Sequence, residues 1–272
     1  VPAGYYLLKD VDGSLDGEDD AYTTYIVKVV EDVTVVRKVA KPSVDKAVKD
    51  EEGWGETADH AINESFQFSL TATLPADTDF AAYDTYAVKF TDTMSDGITF
   101  EDVVSAKING IALRESDCVY TGKTGQAGGS WSLEIADIKA FGIDLTNGAV
   151  IEIVYSAHLN ENAKLNNDAE NKNSVVLEYS NNPNGSGTGK TGPDNVWVFT
   201  YKVDNTKYAN EVAEGKELAG AEFTLYEADG ETVFGLIYDE SMKAYRPVKK
   251  GETAAAMVSA ADGTFNIAGL DA

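Results

Sequence analysis

The chain has 272 residues, and its 46 Asp and Glu against 22 Lys and Arg give a formal net charge of −24. That balance cannot supply the basic face that phosphate contact needs, so no nucleic-acid partner is expected, and docking on anionic lipid is disfavoured. A single cysteine, Cys118, and two distant histidines, His60 and His158, exclude an intrachain disulfide and a cysteine-rich zinc module, and no metal or cofactor is expected.

At 43% hydrophobic and 10% aromatic content, the composition is that of a folded protein. No run approaches the length of a membrane span, about 18 apolar residues, so no membrane insertion is expected. Val1 follows no leader and Leu270-Asp271-Ala272 is no recognisable ending, so the chain is expected to be a piece of a longer protein.

In chain order, residues 25–36 read as strand until Lys38-Val39-Ala40-Lys41-Pro42 interrupts. Phe66, Phe68, Leu70, Ala72 and Leu74 then alternate with polar or small residues up to Pro75. Val88, Phe90 and Asp92 share one phase; so do Trp131, Leu133 and Ile135, and again Ile151, Ile153, Tyr155 and Ala157. Between these runs, only residues 135–141 could hold a short helical turn. Val175, Leu177 and Tyr179 form a further strand, Val196, Val198 and Thr200 another, and Ala221, Phe223 and Leu225 carry the pattern on. Runs rich in Val, Ile, Thr, Phe and Tyr, separated by Gly, Asn, Asp and Pro clusters, predict an all-β chain of tandem immunoglobulin-like β-sandwich domains. The stretch 181–193, dense in Asn, Gly and Pro, reads as a linker. The expected division is residues 1–40 as the last strands of a preceding domain, 41–190 as one sandwich, and 191–272 as the start of another that is cut short.

Several motifs fail on inspection. Residues 185–191 look like a phosphate loop, but the glycine required six positions before Lys190 is Asn184, and Pro193 stands where a helix should begin. Asp12, Ser14, Asp16 and Gly17 resemble the start of a calcium loop whose closing position holds Thr23, not Glu. His60 and His158 have no acid or nucleophile at a known catalytic spacing and read as surface or strand residues; Cys118 reads as a small packing residue. Trp54, Trp131 and Trp197 lie in different segments, with Trp131 expected in the core, which disfavours a carbohydrate-binding platform.

Three polar residues stand where apolar ones are expected. Lys46 shares the phase of Val44 and Val48 in Pro42-Ser43-Val44-Asp45-Lys46-Ala47-Val48. Asp92 is in phase with Val88 and Phe90, ahead of Thr93-Met94, and Asn173 is in phase with Val175 and Leu177. Together with Gly97-Ile98-Thr99-Phe100 and Tyr179-Ser180-Asn181-Asn182-Pro183, this pattern resembles the sortase-assembled major pilins of Gram-positive bacteria. Residues 41–184 are similar to their collagen-adhesin-A-like domain. Gly4-Tyr5-Tyr6-Leu7-Leu8-Lys9 and the strands after it look like the end of the family's first domain. Tyr201-Lys202-Val203-Asp204 with Leu218-Ala219-Gly220-Ala221-Glu222-Phe223 looks like the opening of a collagen-adhesin-B-like domain.

The resemblance implies a spontaneous isopeptide bond between Lys46 and Asn173, assisted by Asp92; Asn171, in the same strand phase, is the alternative partner. Burial lowers the pKa of a lysine amine and raises that of a carboxyl, so a neutral Lys46 could attack an Asn173 amide polarised by protonated Asp92. This is single-turnover acyl transfer and not enzyme activity. The family also carries an acceptor lysine for sortase before the bond-forming lysine, a role expected of Lys38, with Lys41 as the rival. Lys202 is the expected bond-forming lysine of the last domain, without a partner here, since Asn266 precedes the position where the family's catalytic Glu segment would begin. The implied function is a structural pilus-shaft subunit at the cell surface. Its partners would be neighbouring pilin subunits, a pilus sortase, cell-wall peptidoglycan, and host or microbial surface ligands. The alternative is a non-polymerising, wall-anchored adhesin stalk built from the same modules.

Overall fold

The computed structural model describes residues 1–34, 40–122, 125, 127–166, 171–183 and 185–272. An antiparallel ribbon comes first, β1 (Gly4–Lys9) against β2 (Thr24–Val29). A twelve-stranded network follows: β3 (Ser43–Asp50), β4 (Gly53–Gly55), β5 (Thr57–Asp59), β6 (Ser65–Leu74), β7 (Val88–Ile108), β8 (Ile111–Ala112), β9 (Val119–Thr121), β10 (Ala127–Ile135), β11 (Ala149–Leu159), β12 (Lys172–Ser180), β13 (Thr188–Lys190) and β14 (Asp194–Phe199). Beyond it lie β15 (Tyr201–Val203), β16 (Glu222–Phe223), β17 (Leu236–Asp239), β18 (Ala244–Pro247), β19 (Met257–Val258) and β20 (Ile267–Leu270). Four of these form a sheet in the order β15-β20-β18-β17, and β16 pairs with β19.

β7 is 21 residues long and serves both layers of the large sandwich. Val88 to Met94 pair with β12 and β10, whereas Ile98 to Ile108 pair with β11. One layer therefore runs β4-β3-β6-β11-β7 and the other β10-β7-β12-β14-β5. Between the two halves, Gly97 meets the backbone of a neighbouring loop: a Cβ there would fall 2.7 Å from Ala163 Cα and 2.7 Å from Asn171 Oδ1.

Because successive side chains on a strand face opposite ways, each period-2 run buries one row. Phe66, Phe68, Leu70, Ala72 and Leu74 of β6 are all buried, as are Ile151, Ile153, Tyr155 and Ala157 of β11. With Phe90, Phe100, Trp131, Val175 and Leu177 they form one core. The short helix read near 135–141 is a 3-10 turn at Ile138–Phe141, whose start is capped by the Asp137 side chain accepting from Lys139 N at 3.0 Å.

The linker at 181–193 does not separate β14 from the large sandwich. β14 pairs with β12 and, in parallel, with β5, and Val196 and Val198 are fully buried in the main core. Their period-2 burial against β12 outweighs the turn-rich composition before them, so these strand residues belong with the middle unit, not with 191–272 where the sequence reading placed them. The linker instead forms an edge on which residues 15–22 dock. Gly17 N donates to Thr188 O at 2.6 Å, Lys190 N to Glu18 O at 3.0 Å, and Tyr22 N to Asn181 O at 2.7 Å. The sequence reading also put His60 on the surface or in a strand. It follows β5 and is buried, its ring stacked on Phe66 with centroids 4.2 Å apart. A smaller cluster of Leu236, Tyr245, Met257 and Ile267 packs the C-terminal sheet.

Candidate functional site

Lys46, Asp92 and Asn173 come from three strands and two layers. Lys46 lies on β3, opposite Leu70 of β6. Asp92 lies on the first half of β7 and pairs in register with Val175 of β12, two residues beyond Asn173. All three face the core, with 4%, 1% and 0% of their surface exposed. Lys46 Nζ donates to Asp92 Oδ2 in a short contact and to the Tyr155 hydroxyl at 3.1 Å. The Tyr155 hydroxyl donates to Asp92 Oδ1 at 2.9 Å and accepts from Asn173 Nδ2 at 2.5 Å. One donated and two accepted bonds use the full capacity of a phenol. Asn173 Oδ1 is buried and has no hydrogen-bond partner among the described residues.

Aromatic rings enclose the amine. Nζ lies 4.8 Å from the Phe68 centroid and 5.2 Å from that of Tyr155, and Trp131 packs edge-on against Tyr155 at 4.9 Å. Burial disfavours charge on both partners. It lowers the pKa of Lys46 against the opposing pull of Asp92, and raises that of Asp92 against the opposing pull of Lys46. The Tyr155 hydroxyl is likewise pushed well above its ordinary value by burial and by Asp92. The site thus holds an amine driven toward its nucleophilic form, a carboxyl driven toward its acid form, and an amide carbonyl with a free acceptor.

Asn171 is buried too, but its amide is committed elsewhere: Oδ1 accepts from Lys164 N at 2.7 Å and Nδ2 donates to Lys164 O at 2.7 Å. The other candidates lie apart. Lys38 falls outside the described residues. Lys41 is half-exposed and donates to the Asp19 carboxylate at 2.5 Å. Lys202 on β15 is 41% exposed and ion-paired with Asp204 at 2.9 Å. Asn266 accepts from Asn205 N at 2.9 Å. In the rejected calcium loop, Asp16 Oδ1 accepts from the Tyr22 hydroxyl at 3.1 Å. His158 bonds Glu101 at 2.8 Å, and Cys118 packs in the core.

The sequence reading missed the part played by Tyr155. It recognised the residue only as one of an inward row on β11, yet a buried tyrosine needs a partner for its hydroxyl, and that was the available signal.

No protein-family model matches the chain, and no curated protein matches it significantly. Solved structures do. A 35 kDa C-terminal fragment of the major pilin GBS80 of Streptococcus agalactiae matches with a TM-score of 0.63 at 24% identity, over 85% of this chain and 80% of that one. The full-length major pilin SpaD from Corynebacterium diphtheriae matches 99% of this chain with a TM-score of 0.58 at 19% identity, and the chain spans 65% of its length. Full-length RrgB from Streptococcus pneumoniae, also a major pilin, matches with a TM-score of 0.60 at 14% identity, over 99% and 74% of the two chains. At these identities the likeness is one of architecture, and the chain has the tandem β-sandwich fold of the major pilins.

Proposed function

We propose that the chain is part of the shaft subunit of a covalently polymerised cell-surface pilus, and that its middle sandwich is stapled by a self-formed amide bond between Lys46 and Asn173. The observation that carries this reading is the buried set of Lys46, Asp92, Tyr155 and Asn173 in a fold shared with major pilins. Neutral Lys46 Nζ attacks the Asn173 side-chain carbonyl carbon while Asp92 donates its proton to the carbonyl oxygen. The proton lost by the amine passes through Asp92 to the departing amide nitrogen, and the carbonyl proton returns to Asp92 as the tetrahedral intermediate collapses. One N–C bond forms, one breaks, and ammonia leaves without any oxidant or cofactor. Tyr155 holds Asp92 and Asn173 in line and excludes water.

The bond closes a loop of 127 residues between Lys46 and Asn173. By the chain-entropy reasoning used for disulfides, such a loop stabilises the fold by about 5 kcal/mol. In this reading residues 1–40 end one unit, 41–199 are the stapled sandwich, and the remainder opens a further unit to which Lys202 contributes the corresponding lysine. A sortase joins subunits through Lys38, since Lys41 is engaged by Asp19. The polymer is anchored to cell-wall peptidoglycan and meets host or microbial surface ligands.

Intact-mass spectrometry of the purified chain tests the bond. The mass is expected to fall short of the sequence mass by one ammonia, and Asp92→Ala is expected to restore it. A wild-type mass equal to the sequence mass overturns the proposal.

A further inference from the structure

At the seam between the large sandwich and the C-terminal sheet, His60, Glu64 and Asp271 bring a ring nitrogen and two carboxylates within 4.8 Å of one another. His60 is only 7% exposed. Its Nε2 lies 2.8 Å from the Lys49 carbonyl oxygen, which can only accept, so this nitrogen carries the proton. In the neutral ring Nδ1 is then a bare lone pair. It is buried without a hydrogen-bond partner among the described residues, and the nearest Glu64 oxygen, at 3.8 Å, is beyond hydrogen-bond range. A lone pair turned toward two carboxylates is repulsive unless positive charge lies among them.

We propose that a divalent cation of the zinc type binds here, held by His60 Nδ1, Glu64 and Asp271, and ties the sandwich to the C-terminal sheet. The spacing suits it: two ligand atoms 3.8 Å apart can both reach one ion at about 2.0–2.2 Å. An imidazole whose other nitrogen is locked to a backbone carbonyl is the usual outer-shell arrangement of a zinc-bound histidine. A protonated ring paired with Glu64 at 3.8 Å is the competing source of positive charge, and at constant pH only a bound cation shifts the His60 resonances on addition of Zn2+. Glu64, with 46% of its side chain exposed, leaves an open side where water completes the shell. Calcium, which takes oxygen ligands, fits the imidazole poorly. The ion would reinforce an existing seam, where Ile62 N donates to Gly269 O at 3.0 Å and Ala272 N to Asp59 Oδ2 at 2.9 Å.

The chain has two histidines, so imidazole NMR resonances resolve the site directly, with His158, already bonded to Glu101, as the internal control. Titration of the whole chain with ZnCl2 is expected to shift the His60 resonances, leave those of His158 in place, and raise the midpoint of thermal unfolding. Glu64→Gln and Asp271→Asn sit on the exposed side, so folding is retained, and each is expected to weaken Zn2+ binding about tenfold or more. His60 resonances that do not respond to Zn2+, an undiminished response in both variants, or an equal response to CaCl2 would each overturn the proposal.

Discussion

Lys46 and Asp92 occupy a place where either alone would be costly. Both are essentially inaccessible to solvent, and removing one partner of such a pair leaves the other uncompensated at about 3–5 kcal/mol. Burial moves their pKa values in opposite directions, Lys46 down and Asp92 up. Until the proposed bond forms, the pair holds one proton in either arrangement, neutral or ionised, and so contributes little pH dependence through the neutral range. Lys46→Met breaks that symmetry. Asp92 then stands alone with its folded pKa above the unfolded value of about 3.9, so the folded state binds the extra proton. Its stabilising share is present below the unfolded value and is lost as pH rises through the raised folded value, at up to about 1.4 kcal/mol per pH unit. Denaturant unfolding of Lys46→Met across pH 4–8 is expected to show this decline, and a flat profile would refute a neutral, buried Asp92.

Among the elements, β7 decides most. Its two halves pair with different layers, and the passage between them depends on Gly97, where a side chain would collide with Ala163 and with the amide of Asn171. That amide holds the loop through both polar groups of Lys164. Gly97→Val is expected to destabilise the sandwich by about 1–3 kcal/mol through overpacking, read as a lower thermal midpoint. The displaced Asn171 loop lies two residues before Asn173, so the variant is also expected to slow loss of ammonia, followed by intact mass of the newly synthesised chain over time. Unchanged stability and unchanged mass kinetics would show that the loop yields without cost.

For the whole molecule, the units meet through specific polar contacts. Residues 15–22 dock on the 181–190 edge, with the Tyr179 hydroxyl donating to Asp19 at 3.1 Å and Asn181 Nδ2 donating to Leu15 O at 2.9 Å. On the other side, Asn63 Nδ2 donates to Pro247 O at 3.0 Å, and the buried Arg246 joins Asp239 at 2.9 Å and Glu252 at 2.7 Å beside Glu161. In the proposed shaft subunit, tension would pass along such seams. The proposed polymerisation is tested in a cell: a strain carrying Lys38→Arg is expected to lose the high-molecular-weight pilus ladder on a denaturing gel. A full ladder would remove Lys38 from the acceptor role.

Period-2 alternation was enough to place the rows of β6, β7, β10, β11, β12 and β14, because pleat geometry sends alternate side chains to opposite faces and burial selects the apolar set. The same rule exposed Lys46, Asp92 and Asn173 as polar residues in apolar rows. Sequence could not choose between Asn171 and Asn173, since both share one phase and both are buried; the choice rests on which amide the Lys164 backbone already occupies. Nor could it assign β14, whose partners β5 and β12 are distant in the chain, or find the role of Tyr155, whose hydroxyl meets Asp92 only when two layers close. His60 shows the same limit. Its ring bonds a carbonyl on β3 and lies near Glu64, four residues on, and near Asp271 beyond β20, which no local pattern brings to it. Alternation is a local property of the strand, whereas hydrogen-bond partnership across layers is a property of the closed core.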